Sequence, residues 1–385
     1  MKNYIFAILS TIVLLSCSTT GKIQVLVQNP LQFSRNNDMV EIDEVKYLSK
    51  LNLKGGKAYL VTDRYGKIIP SQLTSDRKLI FPATIVSGGE AEYTVTTSLP
   101  RPYSPRVFGR LYPERKNDFS CENDRVGFRL YGDTLKYTDG PSNGLDLWLK
   151  RTSQLVLDEW YRDNNSGKQS FHVDHGKGCD PYAVGRSLGA GAMAPFVDGK
   201  LVLNENYLHL DIVDSGPLRL TAILTYPEIE IQGEKFKEKR TLVLDAGSQL
   251  TKIIQQYDFD RPMQVAAGIV MRGRNDSIVY NKLAGYFAYS EPPTDLNGQL
   301  FLGVFIPQGI DSVFVHSYGY DHPLKKEKQR YTHVLGAVNY LPGKAATYYA
   351  GYGWSRYGFE DLAAFNEYMS QFSEKIKNPL VVKVK

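Results

Sequence analysis

Leu218, Leu220, Ala222 and Leu224 occupy every second position of one stretch, with Arg219, Thr221 and Thr225 among the positions facing the other way. A period of two sorts these sets onto opposite faces of an extended strand, one for a core and one for water. Strand-length runs of this kind recur at 125–131, 145–149, 200–203, 207–213, 218–226, 235–244, 250–257, 265–271, 298–306, 312–318, 345–352 and 380–384. Earlier in the chain, strands at 23–27, 57–62, 79–83 and 91–97 are punctuated by Asn29-Pro30, Gly55-Gly56, Gly66 and Gly88-Gly89. Helical spacing is rare. Leu362, Phe365, Met369, Phe372 and Ile376 recur at three- and four-residue steps, with Asp361 ahead and Pro379 at the end. A second, shorter helix is predicted over 153–161. The pattern predicts an all-β chain of antiparallel sheets with one C-terminal helix. The run Pro100-Arg101-Pro102-Tyr103-Ser104-Pro105 marks a boundary between an N-terminal β-sandwich layer, 23–100, and a main β domain, 101–385.

Lys and Arg number 46 against 41 Asp and Glu, a formal charge of +5 over 385 residues. That excess is too thin for the basic stripe that nucleic acid requires, and this class of partner is excluded. The 26 Tyr exceed the 17 Phe, a bias suited to half-wet strands and to sugar-binding clefts. At the N-terminus Lys2 precedes an apolar run over 4–15 that is too short to span a bilayer. Leu14-Leu15-Ser16-Cys17 resembles the lipobox of bacterial lipoproteins. The expectation is a signal peptide, 1–16, and a lipidated tether, 17–22, anchored to a membrane through Cys17. Ser18 after the Cys favours the outer membrane, facing the periplasm or the cell surface. An ordinary signal peptide that happens to contain a Cys is the alternative. Cys121 and Cys179 then remain, either paired or free, and without a CxxC they do not suggest zinc.

Three clusters carry candidate chemistry. In the first, Arg110, Glu122, Asp124 and Arg125 crowd the start of a core strand, on which Arg125 and Arg129 would share a face. These side chains either lace a solvated face with ion pairs or line a cleft wall that clamps a carboxylate. The second, Phe171-His172-Val173-Asp174-His175-Gly176-Lys177-Gly178-Cys179-Asp180-Pro181-Tyr182, places two of the six histidines in one loop beside two aspartates. Imidazole is the side chain best poised for proton transfer near neutrality, so His172 and His175 are acid/base candidates, with Tyr182 as an acid and Asp180 as a contact. HxDH alone is a weak metal signal, and neither metal nor cofactor is expected. The third cluster is a glycine-rich run over 184–192 with no βαβ unit around it, which suits close backbone approach; its Arg186 could reach a charged ligand. Late in the chain Trp354 and Arg356 sit among tyrosines and glycines, as a stacking platform for sugar or as strand packing.

The runs ENDRVGFRLYG, GLDLWLKR, HVDHGKGCDPYAVGRSLGAG, SGPLRLTAILTY and EKRTLVLDAGSQLTKI resemble a lipoprotein family of Bacteroidota polysaccharide-utilisation loci. The resemblance implies a galactose-mutarotase-like β-supersandwich, found beside or fused to unsaturated-uronyl hydrolases, and an acidic oligosaccharide or polysaccharide as ligand. It brings no agreed set of catalytic residues. The expected function is β-elimination or dehydration of a uronate sugar, with Arg110, Arg125 or Arg186 neutralising the carboxylate and His172 or His175 as base. A binding or mutarotase-like protein, and a glycoside hydrolase using two carboxylates, stand as alternatives.

Overall fold

The structure is a computed structural model describing residues 21–51, 53–273 and 276–385. The expected signal peptide and the lipidated Cys17 lie outside these residues. The ladders are antiparallel. Eight strands form the largest sheet, in the order His209–Ser215, Arg219–Thr225, Glu238–Asp245, Leu250–Tyr257, Ala346–Trp354, Leu300–Phe305, Tyr286–Ser290 and Ser277–Asn281. Its period-two pattern separates two cores. Leu220, Ala222, Leu224, Leu242, Leu302 and Val304 point into the main core, whereas Phe301 and Phe305 point to the opposite face and pack under the C-terminal helix, Leu362–Lys377.

That helix starts where Asp361 accepts the Ala364 N–H at 2.9 Å, and it buries Phe365, Met369 and Ser373. Two glycines let it approach. A Cβ on Gly303 would stand 2.6 Å from Met369 Sδ, and one on Gly353 would stand 2.6 Å from the Phe365 ring.

A second sheet runs Lys200–Leu201, Ala190–Val197, Met263–Val270, Lys328–Tyr340 and Ser312–Asp321, and packs across the main core. A third, short sheet runs Gly178–Cys179, Asp146–Lys150, Gly127–Leu130, Asp118–Asn123 and Val107–Tyr112. The N-terminal residues form two further sheets around their own core of Val25, Val27, Val40, Val61, Phe81 and Val95. Their edge is completed by the last strand, Val381–Val384, which pairs with Ile23–Gln28.

The all-β architecture with its N-terminal layer and C-terminal helix is as the alternation predicts. Two local expectations change, and the open question of the cysteines is answered. The second helix is Leu157–Asn165, not 153–161, because the Glu122 carboxylate binds the Val156 and Leu157 N–H groups at 2.6 and 2.7 Å and sets the first turn there. The glycine-rich run becomes a strand from Ala190 onward, buried through Pro195. Before it, Gly189 (φ +61°) lies against the Leu145 carbonyl, so close backbone approach does explain that glycine. Cys121 and Cys179 are separate buried thiols, on strands with two others between them.

Candidate functional site

The short third sheet has one apolar and one polar face. Along Asp118–Asn123, Phe119 and Cys121 enter the main core, which leaves Asp118, Ser120 and Glu122 on the other side. The neighbouring strands repeat this: Phe128 and Leu130 flank Arg129, and Leu147 and Leu149 flank Trp148. Register places Ser120, Arg129 and Asp146 side by side across three strands. The Leu157–Asn165 helix and Phe171 cover part of this polar face, through Tyr161 and Phe171 packed on Trp148 and Tyr112.

Arg129 is the hub. Its Nε donates to Asp146 Oδ2 at 2.6 Å, its Nη2 lies 2.9 Å from Asp180 Oδ2, and its guanidinium sits 4.8 Å from the Trp148 ring centroid. Tyr131 donates its hydroxyl to Asp146 Oδ2 at 2.5 Å. These partners leave some groups over. Among the described residues, Arg129 Nη1, Asp180 Oδ1 and both oxygens of Asp118 are buried without a hydrogen-bond partner. Burial pushes the Asp118 carboxyl up to about 7, although Arg129 opposes the shift. Burial also raises Asp180, with Arg129 again opposing.

His172 joins this layer to the surface. Its Nδ1 lies 2.7 Å from the Asp180 carbonyl oxygen and 3.7 Å from Asp180 Oδ2, while its side chain is 62% exposed. A carbonyl only accepts, so Nδ1 carries the hydrogen and the neutral ring presents the Nε2 lone pair outward. Tyr182 is buried nearby, within the field of Asp146, with the Arg272 guanidinium 4.7 Å from its ring centroid. Of the expected residues the structure therefore gathers His172 and Asp180, whereas Tyr182 packs into the main core.

The others lie elsewhere. Arg110 is held by Asp158 at 2.7 Å and Glu114 at 2.9 Å. Glu122 is fully buried, paired with Lys150 at 2.5 Å and capping the helix, so it meets no sugar. Asp124 binds Arg106 at 2.7 Å and the Gly247 N–H at 2.7 Å. Arg125 is exposed in a turn, because the strand begins only at Gly127; it does not share a face with Arg129. Arg186 spends its guanidinium on the Asn204 and Leu203 carbonyls at 2.5 and 2.7 Å. His175 points its Nε2 to the Ser170 carbonyl at 3.2 Å and lines a separate cavity of about 230 Å³ with Trp160 and Lys177. Trp354 is buried, with its indole N–H on the Asn297 carbonyl at 2.6 Å, and Arg356 binds the Asp295 carbonyl, so they make no open platform.

Arg129 was expected on a carboxylate-clamping face with Arg125 as its neighbour, whereas Asp118, Tyr131 and Asp146 were not among the expected site residues. Part of the signal was present: Arg129 and Asp146 each stand between apolar neighbours, and their matching positions on paired strands imply one shared layer.

The profile of the domain of unknown function DUF4861 matches residues 27–382. The chain belongs to this family. The DUF4861 fold thus includes both β cores and the polar layer of the short sheet. Uncharacterized protein P7 of Formosa agariphila is 27% identical over 285 residues, covering 72% of this chain and 69% of that protein. Among solved structures, a glycosyl hydrolase family 38 protein from Enterococcus faecalis matches with a TM-score of 0.50 and 8% identity, over 94% of this chain and 47% of that one. An α-mannosidase from Enterococcus faecalis matches with a TM-score of 0.48 and 8% identity, over 94% and 46%. The DUF4861 chain spans about half the length of these solved structures. At such identity the likeness concerns the fold.

Proposed function

We propose that the protein is a carbohydrate-active enzyme that acts on uronic-acid-containing oligosaccharides by β-elimination at the polar face of the short sheet. The observation that carries this reading is the tautomer lock on His172, which leaves an outward Nε2 base beside buried groups that still have bonding capacity. Arg129 Nη1 would neutralise the uronate carboxylate and so acidify the C5 proton. His172 would take that proton as the C4–O bond breaks and the C4–C5 double bond forms. Asp118, pushed up to about 7 and so still partly protonated at neutrality, would return a proton to the departing oxygen. Arg129 is 4% exposed and Asp118 is fully buried, so substrate contact requires the layer to open beside His172, its solvent-facing member. The glycosyl hydrolase name of the structural neighbour supports a saccharide ligand.

The test is incubation with a panel of uronate oligosaccharides, read by the ultraviolet absorbance of an unsaturated uronate and by product mass. Elimination from wild type, lost in His172→Ala and Asp118→Asn, is the expected result. Products that have gained water would instead assign hydrolysis by Asp118 and Asp180. We further propose a cell-envelope location through an acyl group on Cys17; labelled fatty acid should enter the wild-type protein but not Cys17→Ala.

A further inference from the structure

A groove of about 510 Å³ lies between the N-terminal sheets, the outer face of the eight-stranded sheet and the C-terminal helix. This volume falls within the roughly 300–1,000 Å³ of small-ligand pockets, which favour boundaries between packed units. Its walls carry five cations, and four are already committed. Arg35 pairs with Asp38, Lys375 with Asp38, Lys78 with Glu41 and Asp76, and Arg219 with Glu41 and Asp245. Among the described residues lining the groove, Lys252 is the one cation with no carboxylate in ion-pair range.

Its neighbours are as specific as its charge. Register places Lys252 between Val243 and Tyr349 on adjacent strands. Side chains directly opposite on paired strands stand about 5 Å apart, so an ammonium and a phenol ring line the same floor within the span of one pyranose. Tyr349 is braced from behind by Phe305 and Phe372, with ring centroids 5.6 and 5.2 Å away. Its hydroxyl bonds no protein group among the described residues.

We propose that this groove is a second, non-catalytic saccharide site, in which Lys252 binds the carboxylate of a uronate unit and Tyr349 stacks on the ring's apolar face. Charge selects the acidic sugar. The ring supplies contact that any pyranose could use. The choice of a uronate rests on the function proposed above, whereas the groove and its uncommitted cation do not depend on it.

Calorimetry on the chain from Ile23 onward tests this, with digalacturonate as probe and lactose as neutral control. A digalacturonate-binding event that weakens about tenfold in Lys252→Gln and persists in Lys252→Arg is expected. Tyr349→Ala should weaken it as well, while elimination from the shortest substrate stays at the wild-type rate in Lys252→Gln. Equal binding by wild type and Lys252→Gln, or no digalacturonate binding by wild type, would overturn the proposal. Lys252-dependent binding without any turnover would leave the groove standing and remove the catalytic reading instead.

Discussion

An ionised carboxylate shut away from water without a donor costs several kcal/mol, and Asp118 escapes that cost by keeping its proton. Its native pKa of about 7 stands above the ordinary carboxylate value, so between roughly pH 4 and 7 the folded chain holds a proton that the unfolded chain has lost. Stability from this group is therefore complete below the unfolded value and disappears as pH rises through 7, on the order of 4 kcal/mol in all. Asp118→Asn should flatten that slope: urea midpoints for wild type and variant will diverge toward pH 8 in the variant's favour relative to their difference at pH 4. Parallel curves would show that Asp118 does not carry the proton. Glu122 has the opposite character, since Lys150 and the helix N–H groups occupy it fully. Glu122→Ala strands the buried Lys150 ammonium and should cost about 3–5 kcal/mol in chemical denaturation. The sequence made His172 and Asp180 legible because they cluster in a polar loop. Asp146 was hidden because it looks like an isolated charge between leucines, Asp118 because it ends a dense charged run, and Arg129 was read only as a partner of Arg125; cross-strand register is what joins Arg129 to Asp146.

Most strands were readable from their apolar runs, including some buried on both faces, such as Leu300–Phe305 within the predicted 298–306 and Asp146–Lys150 beside the predicted 145–149. The strand Leu250–Tyr257 coincides with its predicted range, and the Leu362–Lys377 helix shows its apolar stripe directly. By contrast Ala190–Val197 is small, glycine-containing and enclosed, so nothing in its period separates it from a loop. The helix also explains glycines that alternation alone cannot. Gly303 sits under Met369, and a valine there would force the helix away from the sheet. Gly303→Val should cost about 1–3 kcal/mol by overpacking. Limited proteolysis should show the change as faster cleavage within 362–377, with the strands of the main core unaffected. Unchanged cleavage would mean that the helix tolerates the displacement.

At the scale of the molecule, the two cores are joined by contacts that no local pattern announces. The last strand closes the first sheet, so the first and last described strands meet across more than three hundred residues of intervening sequence. Gln72, in a two-residue strand of the N-terminal layer, spends its whole amide on the main sheet: Oε1 accepts the Leu218 and Arg219 N–H groups at 2.9 and 2.8 Å, and Nε2 donates to the Arg219 carbonyl at 3.0 Å. Glu41 adds an ion pair to the same Arg219. Gln72 is buried, so truncating it removes the side-chain acceptor of the Leu218 and Arg219 N–H groups, at about 1–3 kcal/mol for each group left unpaired, while the Arg219 carbonyl keeps the Gly216 N–H at 2.9 Å. That penalty falls on the boundary, since the apolar contacts inside each core are untouched. Gln72→Ala should therefore weaken coupling more than either core. Hydrogen exchange should rise first at the Leu218 and Arg219 amides. Thermal unfolding should then separate into an earlier step for the N-terminal core and a later one for the main core. A single transition shifted as a whole would mean that the shared strand and the ion pairs, rather than this amide, make the two cores unfold together.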